Sequence, residues 1–254
     1  YTREIFPWGS DCYLRSDMYH QYAPFFSELW HKIRNGESLT YSWDIGMGTN
    51  FTSLYAYYLA SPANWFIVLF PQKYMIEIMN SLIILKIAGS SLAITYYITR
   101  HFDTKNCVAA LFGMFYGMSG FIAAYSWNIM WLDCVILLPL IMLGLERLVN
   151  ENKCIFYCVT LGLCIFTNYY ISIMVCISVV IYFIVLMISY NGPVSILQYV
   201  KKFINFLQIF LLLSSSSSNN QISPPSLPLP IKVSRYLITF YLLVSLRFWS
   251  LPLL

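Results

Sequence analysis

The sequence predicts an all-α, polytopic transmembrane protein, and three observations support that class. Only 10% of the 254 residues are charged and 59% are apolar, whereas a soluble domain carries about 25% charged residues. Beyond residue 74, long apolar segments alternate with short polar loops. Lysine and arginine fall in every second loop, as expected for a chain that crosses the bilayer repeatedly. The net charge of +4 is dispersed, so the expected surrounding is the lipid bilayer and no nucleic-acid partner is expected.

Composition divides the chain into three parts. Residues 1–73 are polar enough to form a large first loop outside the bilayer. Residues 74–190 are predicted to form a bundle of about five transmembrane spans. Within them, residues 155–189 carry no charge and would form a helix of about 50 Å, too long for a ~30 Å core, so a break is predicted at 167–170. Residues 191–254, with a serine run and several prolines, are predicted to be a cytoplasmic low-complexity linker and an apolar tail without an assigned role.

The first loop contains a predicted amphipathic helix over residues 20–36. Its apolar residues recur at helical spacing and are Tyr22, Phe25, Phe26, Leu29, Trp30 and Ile33. The polar residues fall largely on the other face and are His20, Glu28, His31, Lys32 and Arg34. Gly36 is the expected stop, and Pro24 is expected to kink or restart the first turns. Such a helix should lie flat in the membrane interface and hold Asp17 at the water–lipid boundary.

Loop charges predict the orientation of the spans. The basic loops hold Arg100, Lys105, Arg147, Lys153, Lys201 and Lys202. The turns around Asp133 and Asn168 hold neither lysine nor arginine. By the positive-inside rule the basic loops are cytoplasmic. The Asp17 region and the two turns therefore share the extracellular face, where we expect the active site.

Three ionisable residues are candidates, each with an alternative. Asp17 can cap a helix, act as a general base toward an acceptor hydroxyl, or bind a divalent cation, Mg²⁺ or Mn²⁺, that holds a phosphate. Asp133 is either a solvated turn residue beside interfacial tryptophans or part of the site. Lys86 lies inside a span, where it can snorkel, pair with an acid such as Glu77, or bind phosphate.

Cysteine and histidine spacing indicates no zinc centre. The seven cysteines form no CxxC or Cys/His pattern, so neither zinc nor a disulfide scaffold is predicted. Most of them lie in or beside apolar segments, where cysteine acts as a small hydrophobe.

A series of short motifs resembles one known family. These motifs are FPWG (6–9), Asp17, QY (21–22), YSW (41–43), GMGTNF (46–51), YYLASP (57–62), NIMWLD (128–133), LP (138–139) and NYY (168–170). In this order they resemble the bacterial YfhO membrane-protein family over about residues 5–190. No resemblance continues beyond Lys202, so the chain resembles an N-terminal fragment with an aberrant tail.

The resemblance implies more than the residues themselves indicate. Family members are similar to GT-C glycosyltransferases, which take a sugar from a polyprenyl-phosphate carrier, here with a teichoic-acid-type cell-envelope polymer as the implied acceptor. Asp17 matches the first-loop carboxylate that, in that superfamily, is the catalytic base or lies beside it. The predicted substrate-binding residues are Arg15, Gln21, Tyr22, Trp43, Asn50, Lys86, Trp131, Asp133 and Asn168. A lipid or polymer transporter or flippase, or a non-catalytic assembly subunit, is the alternative and would need no base.

Overall fold

The computed structural model describes residue 9 and residues 17–104, 107–151 and 153–189. Within these ranges the regular structure is helical, apart from a single isolated bridge between Ser42 and Thr49. The α-helices are α1 (Ala23–Asn35), α2 (Phe51–Leu54), α3 (Met75–His101), α4 (Cys107–Gly117), α5 (Gly120–Tyr125), α6 (Leu132–Glu151), α7 (Ile155–Thr167) and α8 (Tyr169–Ile188). The predicted all-α class is confirmed.

Three helical segments of the described chain are long and apolar enough to cross a membrane. They are Gln72–His101, Cys107–Tyr125 and Tyr169–Ile188. The apolar helix Ile155–Thr167 is shorter than a full span. These helices confirm a multi-pass membrane protein, with three full-length spans where about five spans were predicted.

The predicted break in the uncharged segment 155–189 is confirmed at Asn168. This residue has an extended backbone, with φ −158° and ψ 110°, and it separates α7 from α8. Its side-chain oxygen accepts a hydrogen bond of 2.8 Å from the backbone N–H of Ile171. Asparagine is favoured as an N-cap because it satisfies a donor that the helix leaves unpaired.

Glycines allow the helices of the bundle to pack closely. A Cβ atom at Gly113 would lie 2.7 Å from the backbone carbonyl oxygen of Ser91 on α3. A Cβ atom at Gly144 of α6 would lie 2.8 Å from the Cα atom of Tyr157 on α7. The α3–α4 and α6–α7 contacts therefore depend on small residues, as expected between helices in a membrane.

The first-loop helix begins with a wide turn and ends as predicted. Residues Met18–Tyr22 form a π-helical turn, and the α-helix restarts at Ala23 with Pro24 in its first turn. Proline lacks an N–H and its ring clashes with the preceding turn, which accounts for the local widening. Gly36 closes α1 in the left-handed conformation, with φ 67°.

The two faces of this helix differ from the prediction. Tyr22, Phe26 and Leu29 are fully buried against the rest of the protein, so the apolar stripe packs on the protein core. Glu28 and Lys32, predicted on the polar face, are also buried. Their charges are compensated, because Lys32 Nζ lies 3.3 Å from Glu28 Oε1.

The bundle has two ends that differ in character. Helices α3, α6 and α8 all begin at the end covered by the first loop, which we call the site end. They finish at the opposite end, which carries Arg100 and Arg147 and which we call the basic end. Lys86 of α3 contacts Asp133 of α6 at the site end, and Tyr97 of α3 contacts Glu146 of α6 at the basic end. For α8, Asn168 at its start contacts Tyr57 of the first loop, and Tyr182 near its end contacts Glu146.

Candidate functional site

A buried ion pair lies beneath the first loop. Lys86 Nζ is 2.7 Å from Asp133 Oδ2, and the two side chains are 3% and 13% exposed. The ammonium group also donates to Ser61 Oγ at 3.2 Å and to the carbonyl of Ile129 at 3.1 Å. All three of its protons are therefore directed at protein oxygens.

This geometry decides two of the open alternatives. The solvated-turn interpretation of Asp133 is wrong, because its carboxylate is mostly buried and paired with a lysine. The suggested pairing of Lys86 with Glu77 is also wrong, since Asp133 takes that place. Two predicted substrate-binding residues thus form one unit, although 46 residues separate them along the chain.

The turn before α6 carries two buried donors without a partner in the described part of the chain. Tyr22 Oη donates to Asn128 Oδ1 at 3.3 Å and so ties the first loop to this turn. The amide nitrogen of Asn128 and the indole nitrogen of Trp131 are buried there without a hydrogen-bond acceptor. An unsatisfied buried donor costs about 1–3 kcal/mol, so the turn is suited to a ligand that supplies acceptor oxygens.

Asp17 stands at the start of the π-helical turn and its side chain makes no capping hydrogen bond. The cap interpretation of this residue therefore has no support within the described residues. Burial raises the pKa of Tyr58, and the negative charge of Asp17 raises it further. Burial likewise raises the pKa of Tyr22, with smaller contributions from Tyr57, Tyr58 and Asp17. The carboxylate of Asp17 is thus close enough to act electrostatically on a group of neutral tyrosines.

Asn168 joins the α7–α8 turn to the same end of the bundle. Its amide nitrogen donates to the carbonyl of Tyr57 at 3.3 Å, and the rings of Tyr57 and Tyr169 lie 5.5 Å apart. Tyr58 Oη donates to Gln21 Oε1 at 2.9 Å. The convergence of the Asp17 region, the Asp133 turn and the Asn168 turn at one end, predicted from loop charges, is present in the structure.

Of the other predicted residues, Trp43 and Asn50 make their contacts within the first loop, whereas Tyr22 and Asn168 are buried members of the cluster. Trp43 is 76% exposed and packs on Tyr41, with ring centroids 4.9 Å apart. Asn50 caps the short helix α2 by accepting from the backbone N–H of Ser53. Tyr22 and Asn168 are fully buried, so their contacts are internal to the protein. Arg15 lies outside the described residues.

Three residues of the site were not predicted. Tyr58, Ser61 and Asn128 make hydrogen bonds to Gln21, Lys86 and Tyr22 respectively. All three lie within the YYLASP and NIMWLD motifs, so those motifs were the signal that could have identified them. No group of three or more His, Cys, Asp or Glu that could hold a metal ion lies together in the described ranges.

The helices and the polar cluster at one end define an all-α integral membrane protein. Comparison with known families makes the assignment specific: the chain belongs to the YfhO family of bacterial membrane proteins, whose family model matches residues 1–219. The match extends beyond the motif-based resemblance at both ends. No curated protein matches the chain, and no solved structure does.

Proposed function

We propose that this chain is part of a membrane glycosyltransferase that moves a sugar from a polyprenyl-phosphate donor to a cell-envelope polymer of the teichoic-acid type. The observation that carries the proposal is the convergence of three features at the site end. They are the carboxylate of Asp17, which makes no capping hydrogen bond, the Asn128–Trp131 turn with its two unpartnered donors, and the buried Lys86–Asp133 pair. Family membership supports a role in the bacterial membrane. The basic residues at the other end support an extracellular site by the positive-inside rule.

In the proposed reaction Asp17 is the general base. Its carboxylate accepts the proton of an acceptor hydroxyl, and the hydroxyl oxygen forms a bond to the anomeric carbon of the sugar. The bond from that carbon to the phosphate oxygen breaks, and the phosphate leaves with the electron pair. Asp17 suits this role because its side chain makes no capping hydrogen bond, and a positioned base contributes about 10²–10⁴-fold.

The unpartnered donors of the turn are the proposed contacts for the phosphate. The nitrogens of Asn128 and Trp131 would donate to oxygens on which negative charge develops as the bond breaks. Lys86 is less suited to that role, because its ammonium group already donates to three protein oxygens. We therefore assign Lys86 and Asp133 a positioning role, holding the turn that precedes α6 against α3.

The tyrosines around Asp17 are the proposed sugar-binding surface. The pKa of Tyr58 and of Tyr57 is raised, in each case chiefly by burial. Their hydroxyls are therefore neutral at physiological pH and can both donate and accept hydrogen bonds. Aromatic rings with a polar tip suit a ligand that is wet at one side and apolar at the other.

A second candidate function is transport of a lipid or polymer. The buried Lys86–Asp133 pair favours it, because an ionisable pair inside membrane helices is typical of transport pathways. A transporter needs no base at Asp17, and this difference separates the two candidates.

The test is sugar transfer from a polyprenyl-phosphate donor by the protein carrying Asp17→Asn. Asparagine keeps the shape of the side chain but cannot accept the proton, so turnover should fall about 10²–10⁴-fold while donor binding is kept. Asp44→Asn is the matched control, because Asp44 is an exposed aspartate of the same loop. Wild-type turnover by the Asp17→Asn protein would remove the general-base proposal.

A further inference from the structure

At the basic end of the bundle, two arginines contact the same tyrosine. The guanidinium carbon of Arg100 lies 5.4 Å from the ring centroid of Tyr96. Nη2 of Arg147 lies 3.5 Å from the hydroxyl of the same tyrosine, and its guanidinium carbon is 5.1 Å from the ring centroid of Phe156. Helices α3 and α6 thus each place one permanent positive charge beside Tyr96.

Neither arginine forms an ion pair with a carboxylate in the described residues. Glu146, the neighbour of Arg147 in sequence, instead accepts hydrogen bonds from Tyr97 and Tyr182 and pairs with His101. Glu151 pairs with Lys153 at 2.8 Å. Two guanidinium groups on one neutral tyrosine repel each other, and a bound anion would relieve that repulsion.

An exposed apolar stripe runs along α3 from this basic pair. Leu85, Leu92 and Tyr96 share one face of the helix because their spacings are seven and four residues, and they are 63%, 71% and 36% exposed. At 1.5 Å per residue the stripe is about 16 Å long. That is about half of the ~30 Å hydrocarbon core, the depth of a single lipid leaflet.

We infer that Arg100, Arg147 and Tyr96 bind the phosphodiester headgroup of an anionic phospholipid, whose acyl chain lies along the Leu85–Leu92 stripe. Arginine suits this ligand, because its planar fork of donors matches a phosphate and its charge is permanent. Basic pockets between helices at the cytoplasmic boundary are a known setting for anionic headgroups. The site lies at the opposite end from the proposed sugar-transfer site and does not depend on it.

The test measures lipid binding to the purified 254-residue chain in a neutral detergent. Phosphatidylglycerol and phosphatidylcholine with identical acyl chains are titrated, and bound lipid is counted by native mass spectrometry. We expect preference for phosphatidylglycerol, a roughly fivefold weaker affinity in Arg100→Gln and in Arg147→Gln, and the product of the two losses in the double variant. Arg147→Lys should retain part of the affinity, because it keeps the charge without the fork.

Matched variants separate this site from general charge attraction. Lys153→Gln removes a positive charge from the same end, but one that Glu151 already pairs, so affinity should be unchanged. Leu92→Gln should weaken phosphatidylglycerol binding without altering any charge. Thermal melting in lipid-free detergent identifies any variant that misfolds, and only variants that melt like wild type are compared.

Three results would overturn the inference. The first is equal affinity for the two lipids, and the second is wild-type affinity in the double arginine variant. The third is displacement of phosphatidylglycerol by millimolar inorganic phosphate, which would indicate a site for a free anion and not for a lipid.

Discussion

Removing one partner of the Lys86–Asp133 pair should destabilise the protein strongly. Lys86→Met leaves a carboxylate that is only 13% exposed without its counter-ion. It also removes the hydrogen bonds to Ser61 and Ile129. Breaking a buried pair from one side costs about 3–5 kcal/mol, because the remaining charge stays desolvated. Replacing both partners removes both charges, so Lys86→Met/Asp133→Leu should recover most of the loss.

The measurement is a double-mutant cycle on the free energy of unfolding, using graded denaturation in mixed micelles. The control is the Lys153–Glu151 pair, which has nearly the same separation, 2.8 Å, but side chains 74% and 49% exposed. Lys153→Met should therefore have little effect, since exposed pairs are screened by water. The comparison isolates burial as the variable, because the charges and the distance are matched.

A loss of stability in Lys86→Met no larger than that in Lys153→Met would contradict this prediction. Simple addition of the two single losses in the double variant would also contradict it, since coupled partners must show an interaction energy. Either result would mean that water reaches the pair, and the positioning role proposed for Lys86 and Asp133 would then be lost.

Three further predictions concern packing, capping and orientation. Gly113→Ala should cost about 1–3 kcal/mol by overpacking, because its Cβ would lie 2.7 Å from a backbone oxygen of α3. Gly120→Ala, which faces open space, should be near neutral in the same unfolding assay. Asn168→Ala should cost about 0.5–2 kcal/mol through the lost cap, and Asn168→Ser, which keeps a capping oxygen without adding a charge, should lose less. In a cysteine-free background, an impermeant thiol reagent on intact cells should label Met47→Cys but not Lys153→Cys, both positions being exposed; equal labelling would remove the extracellular assignment.

Features set by local chemistry could be predicted from the sequence. The break at Asn168 follows from an uncharged segment too long for one helix, together with a residue that caps well. The end of α1 follows from Gly36, which adopts the left-handed conformation at φ 67°. The first loop turns tightly between Ser42 and Thr49, which form the isolated bridge, and Gly46 and Gly48 within that turn both have positive φ. In each case the determining residues lie within the same continuous stretch of sequence as the feature.

Features set by distant partners could not be predicted. Helical periodicity assigned Glu28 to the polar face, but Ser42 Oγ donates to its carboxylate at 2.6 Å and covers it. The periodicity of α1 contains no information about a loop residue that follows it. Lys86 was recognised as unusual because a charge inside a span requires a partner. Its choice of Asp133 over Glu77 depends on how α6 packs against α3, which a single sequence does not reveal.

Polar contacts at both ends of the bundle fix how α3 and α6 lie against each other. Lys86 binds Asp133 at the site end, and Tyr97 binds Glu146 at the basic end. These two contacts are about 16 Å apart along α3, from Lys86 to Tyr97, and about 20 Å apart along α6, from Asp133 to Glu146. Pro139 lies inside α6 between them, and a proline within a helix can bend it. A slip of one turn would separate both pairs at once and leave two charges buried without partners. These two attachments hold the Asn128–Trp131 turn in place beneath the first loop. The proposed site needs this turn in a fixed position, because its nitrogens are the proposed phosphate contacts.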